Sequence, residues 1–124
     1  MTNSQIPTIY IIDDDKIMAE CIARAISALG DYKIRIFSDA ISAMNSIDDE
    51  FPNLIFLDVL LNGPNGFSLL NELISYTDTA KIPVILISSL DLQEADLSEY
   101  HILETLSKET MTPTQIQEAV RRAL

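Results

Sequence analysis

Ile9-Tyr10-Ile11-Ile12-Asp13-Asp14-Asp15 sets four apolar residues, three of them β-branched, directly against three carboxylates. A continuous branched run of this kind is how a strand buried on both faces of a parallel sheet reads. The abrupt acidic end puts charge where that strand emerges from the core. Four further runs follow. Lys33-Ile34-Arg35-Ile36-Phe37 is weaker and alternating, while Leu54-Ile55-Phe56-Leu57 and Val84-Ile85-Leu86-Ile87 are again continuous. The fifth, near Ile102 to Leu106, is the least clear.

Helix-like segments separate the runs. Ile17, Cys21, Ile22, Ala25, Ile26 and Leu29 recur at helical spacing, and Gly30 supplies a stop. Ala40 to Ile47 also reads as helix, as do Phe67, Leu70, Leu73 and Ile74 after Gly66. Asp91 to Tyr100 reads as a weak, acidic helix. The last helix runs from about Pro113 to Ala123, with Pro113 suited to its first turn. Cys21 is expected in the core of the first helix. The alternation predicts an α/β fold: a five-stranded parallel sheet, doubly wound, with five helices and right-handed crossovers. The length of 124 residues fits one domain spanning 1–124.

The composition narrows the function. Eight basic residues against nineteen acidic ones give a formal net charge of −11. Too few Lys and Arg are available to neutralise nucleic-acid phosphates, and anionic membrane surfaces would repel the chain. A single cysteine excludes an internal disulfide and fits a reducing compartment. No signal-peptide pattern or membrane-length apolar run is present, so a cytoplasmic location is expected.

Ligands of doubly wound sheets sit beyond the carboxyl ends of the strands. The first strand ends in Asp13-Asp14-Asp15, the third in Asp58 and the fourth in Ser88-Ser89, and Lys108 follows the fifth. Singly these are weak signals. The aspartate triplet reads equally well as a solvated turn with Asp15 capping a helix. Ser88 alone reads as a strand terminator, and Lys108 alone as a surface lysine. Together they lie on one edge in the order an acyl-phosphate site needs. Clustered carboxylates require a cation, oxygen ligands in that number suit Mg²⁺, and a carboxylate beside the metal can attack a phosphoryl donor. A hydroxyl and an ammonium can then bind phosphoryl oxygens.

These residues resemble the receiver domain of bacterial two-component response regulators, the family that includes the chemotaxis regulator. The resemblance covers essentially the whole chain and implies the flavodoxin-like strand order 2-1-3-4-5. It implies that Asp58 is the phosphoacceptor, that Ser88 and Lys108 bind phosphoryl oxygens, and that Asp13, Asp14, Asp58 and the backbone carbonyl of Leu60 hold Mg²⁺. The implied donor is a phosphohistidine on a sensor histidine kinase or a histidine phosphotransfer protein. Implied partners are an effector domain or downstream protein, with homodimerisation as a further option. Beyond its own phosphotransfer and dephosphorylation, no enzymatic activity is implied.

The chain departs from the family pattern in four places. Asn62 stands where a proline usually follows the acceptor, with Pro64 two residues on. Glu109 follows Lys108 in place of proline, and Thr105 occupies the position of the usual switch aromatic. The segment from Ser88 to Lys108 is slightly short. These changes cluster in the output half, so phosphorylation chemistry is expected to survive with an altered signal relay. Leu60 and Leu90 stand where polar groups often flank the attacking water, which predicts slow autodephosphorylation. The alternative is a pseudo-receiver acting as a phosphorylation-independent interaction module. Enzymes of similar fold fit poorly. A haloacid-dehalogenase-type phosphatase needs an aspartate at Leu60, and a flavodoxin-like protein needs a phosphate loop where the three aspartates stand. A dinucleotide-binding protein needs a glycine fingerprint, and the chain has three glycines in all.

Overall fold

The computed structural model describes residues 6–59, 66–88 and 100–124. Five strands alternate with helices in the order β1 (Thr8–Ile12), α1 (Lys16–Leu29), β2 (Lys33–Phe37), α2 (Ala40–Ser46), β3 (Leu54–Asp58), α3 (Gly66–Ile74), α4 (Thr77–Ala80), β4 (Val84–Ser88), β5 (Ile102–Ser107) and α5 (Pro113–Ala123). The strands form one parallel sheet in the order β2-β1-β3-β4-β5. The fold is the flavodoxin-like one expected. The direction of winding reverses between β1 and β3, so the carboxyl ends of those two strands flank the switch point.

Strands β1, β3 and β4 are buried along their whole length, which explains their unbroken apolar sequences. Alternate residues serve opposite faces. Tyr10, Ile12, Ile55, Leu57, Val84 and Leu86 pack with Ala43 of α2 and Leu69, Leu70 and Leu73 of α3. Ile9, Ile11, Leu54, Phe56, Ile85 and Ile87 pack with Ile22 and Ile26 of α1 and Ile116 and Val120 of α5. Each fully buried aliphatic side chain of this kind contributes about 1.5–3 kcal/mol. The edge strand β2 is only partly covered, in keeping with its alternating pattern.

The helix starts follow from local chemistry. Asp15 caps α1 by accepting from the Met18 N–H, and Asp39 caps α2 by accepting from the Ser42 N–H. Thr112 and Gln115 form a reciprocal capping box that spans Pro113 at the start of α5. Two expectations change. Cys21 is exposed, as is Ile17; the buried stripe of α1 is Ala19, Ile22, Ala25 and Ile26, one step round the helix. The one-turn helix α4 was not anticipated. Its polar sequence has no apolar period, and it is held from outside by the Thr79 hydroxyl donating to the Leu73 carbonyl. The expected helix from Asp91 lies outside the described residues, except that Tyr100 packs against the α3 side of the core.

Candidate functional site

Parallel register carries the site residues to one edge. In β1–β3 pairing Ile12 faces Leu57, so the next residue of each strand, Asp13 and Asp58, emerges at the same level. Asp58 pairs with Ile87, and Ser88 pairs with Ser107. The Lys108 N–H donates to the Ser88 carbonyl at 2.9 Å, tying the start of the β5–α5 loop to the end of β4. Ser107 then accepts from the N–H groups of Thr110 and Met111, closing a hydrogen-bonded turn where the family places proline after its lysine.

Asp13, Asp14 and Asp58 each offer a carboxylate oxygen, all within 4.8 Å of one another. Asp13 and Asp58 are each 2% exposed, and Asp14 is half-buried. Lys108 reaches in from the opposite side, with Nζ 2.8 Å from Asp58 Oδ2 and 3.5 Å from Asp13 Oδ1. Asp13 Oδ1 also accepts the Asp15 N–H at 2.8 Å. This Asx turn fixes the carboxylate on the loop leaving β1. Asp13 Oδ2 is buried with no hydrogen-bond partner.

The electrostatics match. Burial pushes the Asp13 carboxyl up to about 6, and the Asp58 charge adds to this, while the Asp15 N–H and Lys108 pull the other way. Burial works against the Lys108 ammonium, but the hydrogen bond it donates to Asp58 and the charges of Asp13 and Asp58 outweigh it and raise its pKa. Asp13 and Asp58 thus share the Lys108 ammonium, with Asp14 beside them and one buried Asp13 oxygen left over. The donor set is all oxygen and over-supplied with negative charge, so these three aspartates could hold a divalent cation.

The structure therefore brings together Asp13, Asp14, Asp58 and Lys108, with Ser88 buried at the end of the neighbouring strand. Leu60, Ser89 and Leu90 lie outside the described residues. Sequence reading missed the Asp15 amide, although an Asp two residues before it was signal enough for an Asx turn. Thr105, at the position of the usual switch aromatic, pairs with Leu86 and is exposed.

The family model of the response regulator receiver domain matches residues 9–121. This chain belongs to that family, the receiving component of two-component signalling. Response regulator MprA of Mycobacterium avium is 26% identical over 83 residues, 67% of this chain. The match spans 35% of that regulator's length. Among solved structures, the receiver domain of NtrX from Brucella abortus has a TM-score of 0.81 at 28% identity, covering 94% of this chain and 97% of that one. A response regulator from Chloroflexus aurantiacus has a TM-score of 0.85 at 23% identity, with 96% and 98% covered, and supports the fold.

Proposed function

We propose that this receiver accepts a phosphoryl group on Asp58 from a phosphohistidine of a sensor histidine kinase or histidine phosphotransfer protein, with Mg²⁺ held at Asp13, Asp14, Asp58 and the Leu60 carbonyl. The observation that carries this reading is the partnerless, buried Asp13 Oδ2 within a cluster of three carboxylates, two of which face Lys108. An orphaned buried acceptor costs about 1–3 kcal/mol unless a ligand satisfies it. Mg²⁺ at this place offsets charge on the transferring phosphoryl oxygens.

The residues divide the remaining work. An Asp58 carboxylate oxygen forms the new O–P bond as the donor's N–P bond breaks, and the bonding pair returns to the imidazole nitrogen. Lys108, 2.8 Å from Asp58 Oδ2, holds the nucleophile in place beforehand and afterwards pairs with a phosphoryl oxygen. The Ser88 hydroxyl donates to another. Asp15 orients Asp13 through its amide and keeps the metal-binding carboxylate from swinging. The chain acts as a single domain and a signalling switch, catalysing only its own phosphotransfer and dephosphorylation. Leu60 and Leu90 shield the acyl phosphate and make its hydrolysis slow; a half-life of seconds would count against that role. Among the described residues no helix is long and apolar enough to cross a membrane, which is compatible with the cytoplasmic location we propose.

The test is incubation with acetyl phosphate and Mg²⁺ followed by intact mass, with Asp58→Asn as control. One phosphoryl group gained, and lost both in the variant and without metal, is expected. No gain would leave the pseudo-receiver reading in its place.

A further inference from the structure

At the edge of the sheet away from Asp58, the segments entering β3 and β4 leave a cleft of about 500 Å³ between α2 and α4. Met44, Ile47 and Thr79 form part of its lining, with the Phe51 and Tyr76 rings and the carboxylates of Asp48, Glu72 and Asp78. Phe51 is 48% exposed and Tyr76 60%, high values for rings of this size. Among the described residues neither ring stacks on another aromatic or carries a cation. Nor does any of the three carboxylates enter an ion pair there.

The chain's own cations do not fill the gap. Lys33 and Arg35 are engaged by Glu50, Arg122 by Glu104, and Lys108 by the phosphorylation-site aspartates. Lys81, the basic residue nearest in sequence, does not line the cleft. A bare metal ion is a poor occupant. Among the described residues the group of acidic side chains close enough to share an ion is Asp13, Asp14 and Asp58, and none of the cleft carboxylates joins it.

We propose that this cleft receives an arginine-bearing segment of a partner protein. Aromatic faces attract a guanidinium through the ring quadrupole, and an apolar floor accepts the arginine's methylene stem. Uncompensated carboxylates around the rim supply charge complementarity that steers and registers a basic partner. Aromatic and arginine side chains are also the commonest anchors of protein interfaces. The cleft is remote from the phosphoacceptor, so the partner engages it without blocking phosphotransfer.

The probe is acetyl-Ala-Arg-Ala-amide, titrated into the isotope-labelled full chain by NMR, with the citrulline peptide as the uncharged control. Saturable shifts confined to Phe51, Tyr76, Asp48, Glu72 and Asp78 are expected, and absent with citrulline. Tyr76→Ala and Glu72→Gln, both at exposed positions, are each expected to weaken binding about 3–10-fold while leaving other resonances in place. Shifts spread over all acidic surfaces, an equal response to citrulline, or no response would overturn the proposal. So would peptide-free shifts at these residues that grow with protein concentration, which would assign the cleft to a second copy of this chain.

Discussion

Two sets of charges in this molecule are built on opposite plans. On the outer surface Arg122 grips Glu104 with Nε at 3.0 Å and a terminal nitrogen at 2.9 Å, and its other terminal nitrogen lies 3.6 Å from Glu118, all within reach of water. At the end of β1 and β3, Lys108 faces Asp13 and Asp58 in a nearly sealed setting, with Asp14 alongside and one oxygen unanswered. The surface group is screened by solvent and changes little when lost. The buried group is deliberately short of positive charge, and that shortage is what makes it receptive to a cation and a phosphoryl group. Frustration concentrated in one place on an otherwise consistent fold points to function.

The sharpest break of this contrast is Lys108→Met. It strips Asp13 and Asp58 of the ammonium they share, and removing a partner from a buried pair costs about 3 kcal/mol. Urea unfolding of the metal-free protein is expected to show that loss, and saturating Mg²⁺ to restore most of it, because the ion answers the same oxygens. If Mg²⁺ leaves the variant's midpoint unmoved, the two cations do not share a site. Next in size is Mg²⁺ on the unaltered protein. At one hundred times its dissociation constant a ligand bound only to the folded state adds about 2.7 kcal/mol. Thermal melts with and without the ion read this directly, and Ca²⁺ or Mg²⁺ that raised the midpoint equally in Asp13→Asn would place the effect elsewhere.

Much of this was visible in the residues because burial on both faces leaves a plain trace. β1, β3 and β4 are apolar without interruption, and their acidic or hydroxyl ends mark where each leaves the core. What stayed hidden depends on tertiary geometry. Ile17 and Cys21 fall at helical spacing with the buried stripe of α1 but point to solvent, since a helix this rich in small and apolar residues admits more than one phase. β5 resisted reading because its register slips between Ile102 and Glu104. Leu103 is left outward as the extra residue of a bulge, and any alternation is broken. α4 has four residues and no period at all. The pairing of Lys108 with Asp58 spans 50 positions, and the orphaned Asp13 oxygen follows from no local pattern.

Asp13→Asn sharpens the contrast from the other side. The substitution keeps the shape and the acceptor for the Asp15 N–H, while removing a charge that burial and Asp58 already oppose. A carboxyl shifted to about 6 is one whose ionised form weakens the fold. The proton it prefers is lost as pH rises from the ordinary carboxylate range through 6, so the metal-free protein loses stability across that window. At neutral pH the variant is expected to be more stable than the parent by about 1–2 kcal/mol, since one unit of pKa corresponds to 1.36 kcal/mol, and to be phosphorylated poorly. Arg122→Ala, at the solvent-screened surface group, is expected to leave both the unfolding midpoint and phosphorylation where they were. The informative result is the pair taken together. A site residue whose loss strengthens the fold, beside a surface residue whose loss changes nothing, separates charge kept for chemistry from charge that is incidental to stability. If Asp13→Asn instead destabilises the metal-free protein, Asp13 is paired well enough to be structural, and the argument for a cation at this edge loses its foundation.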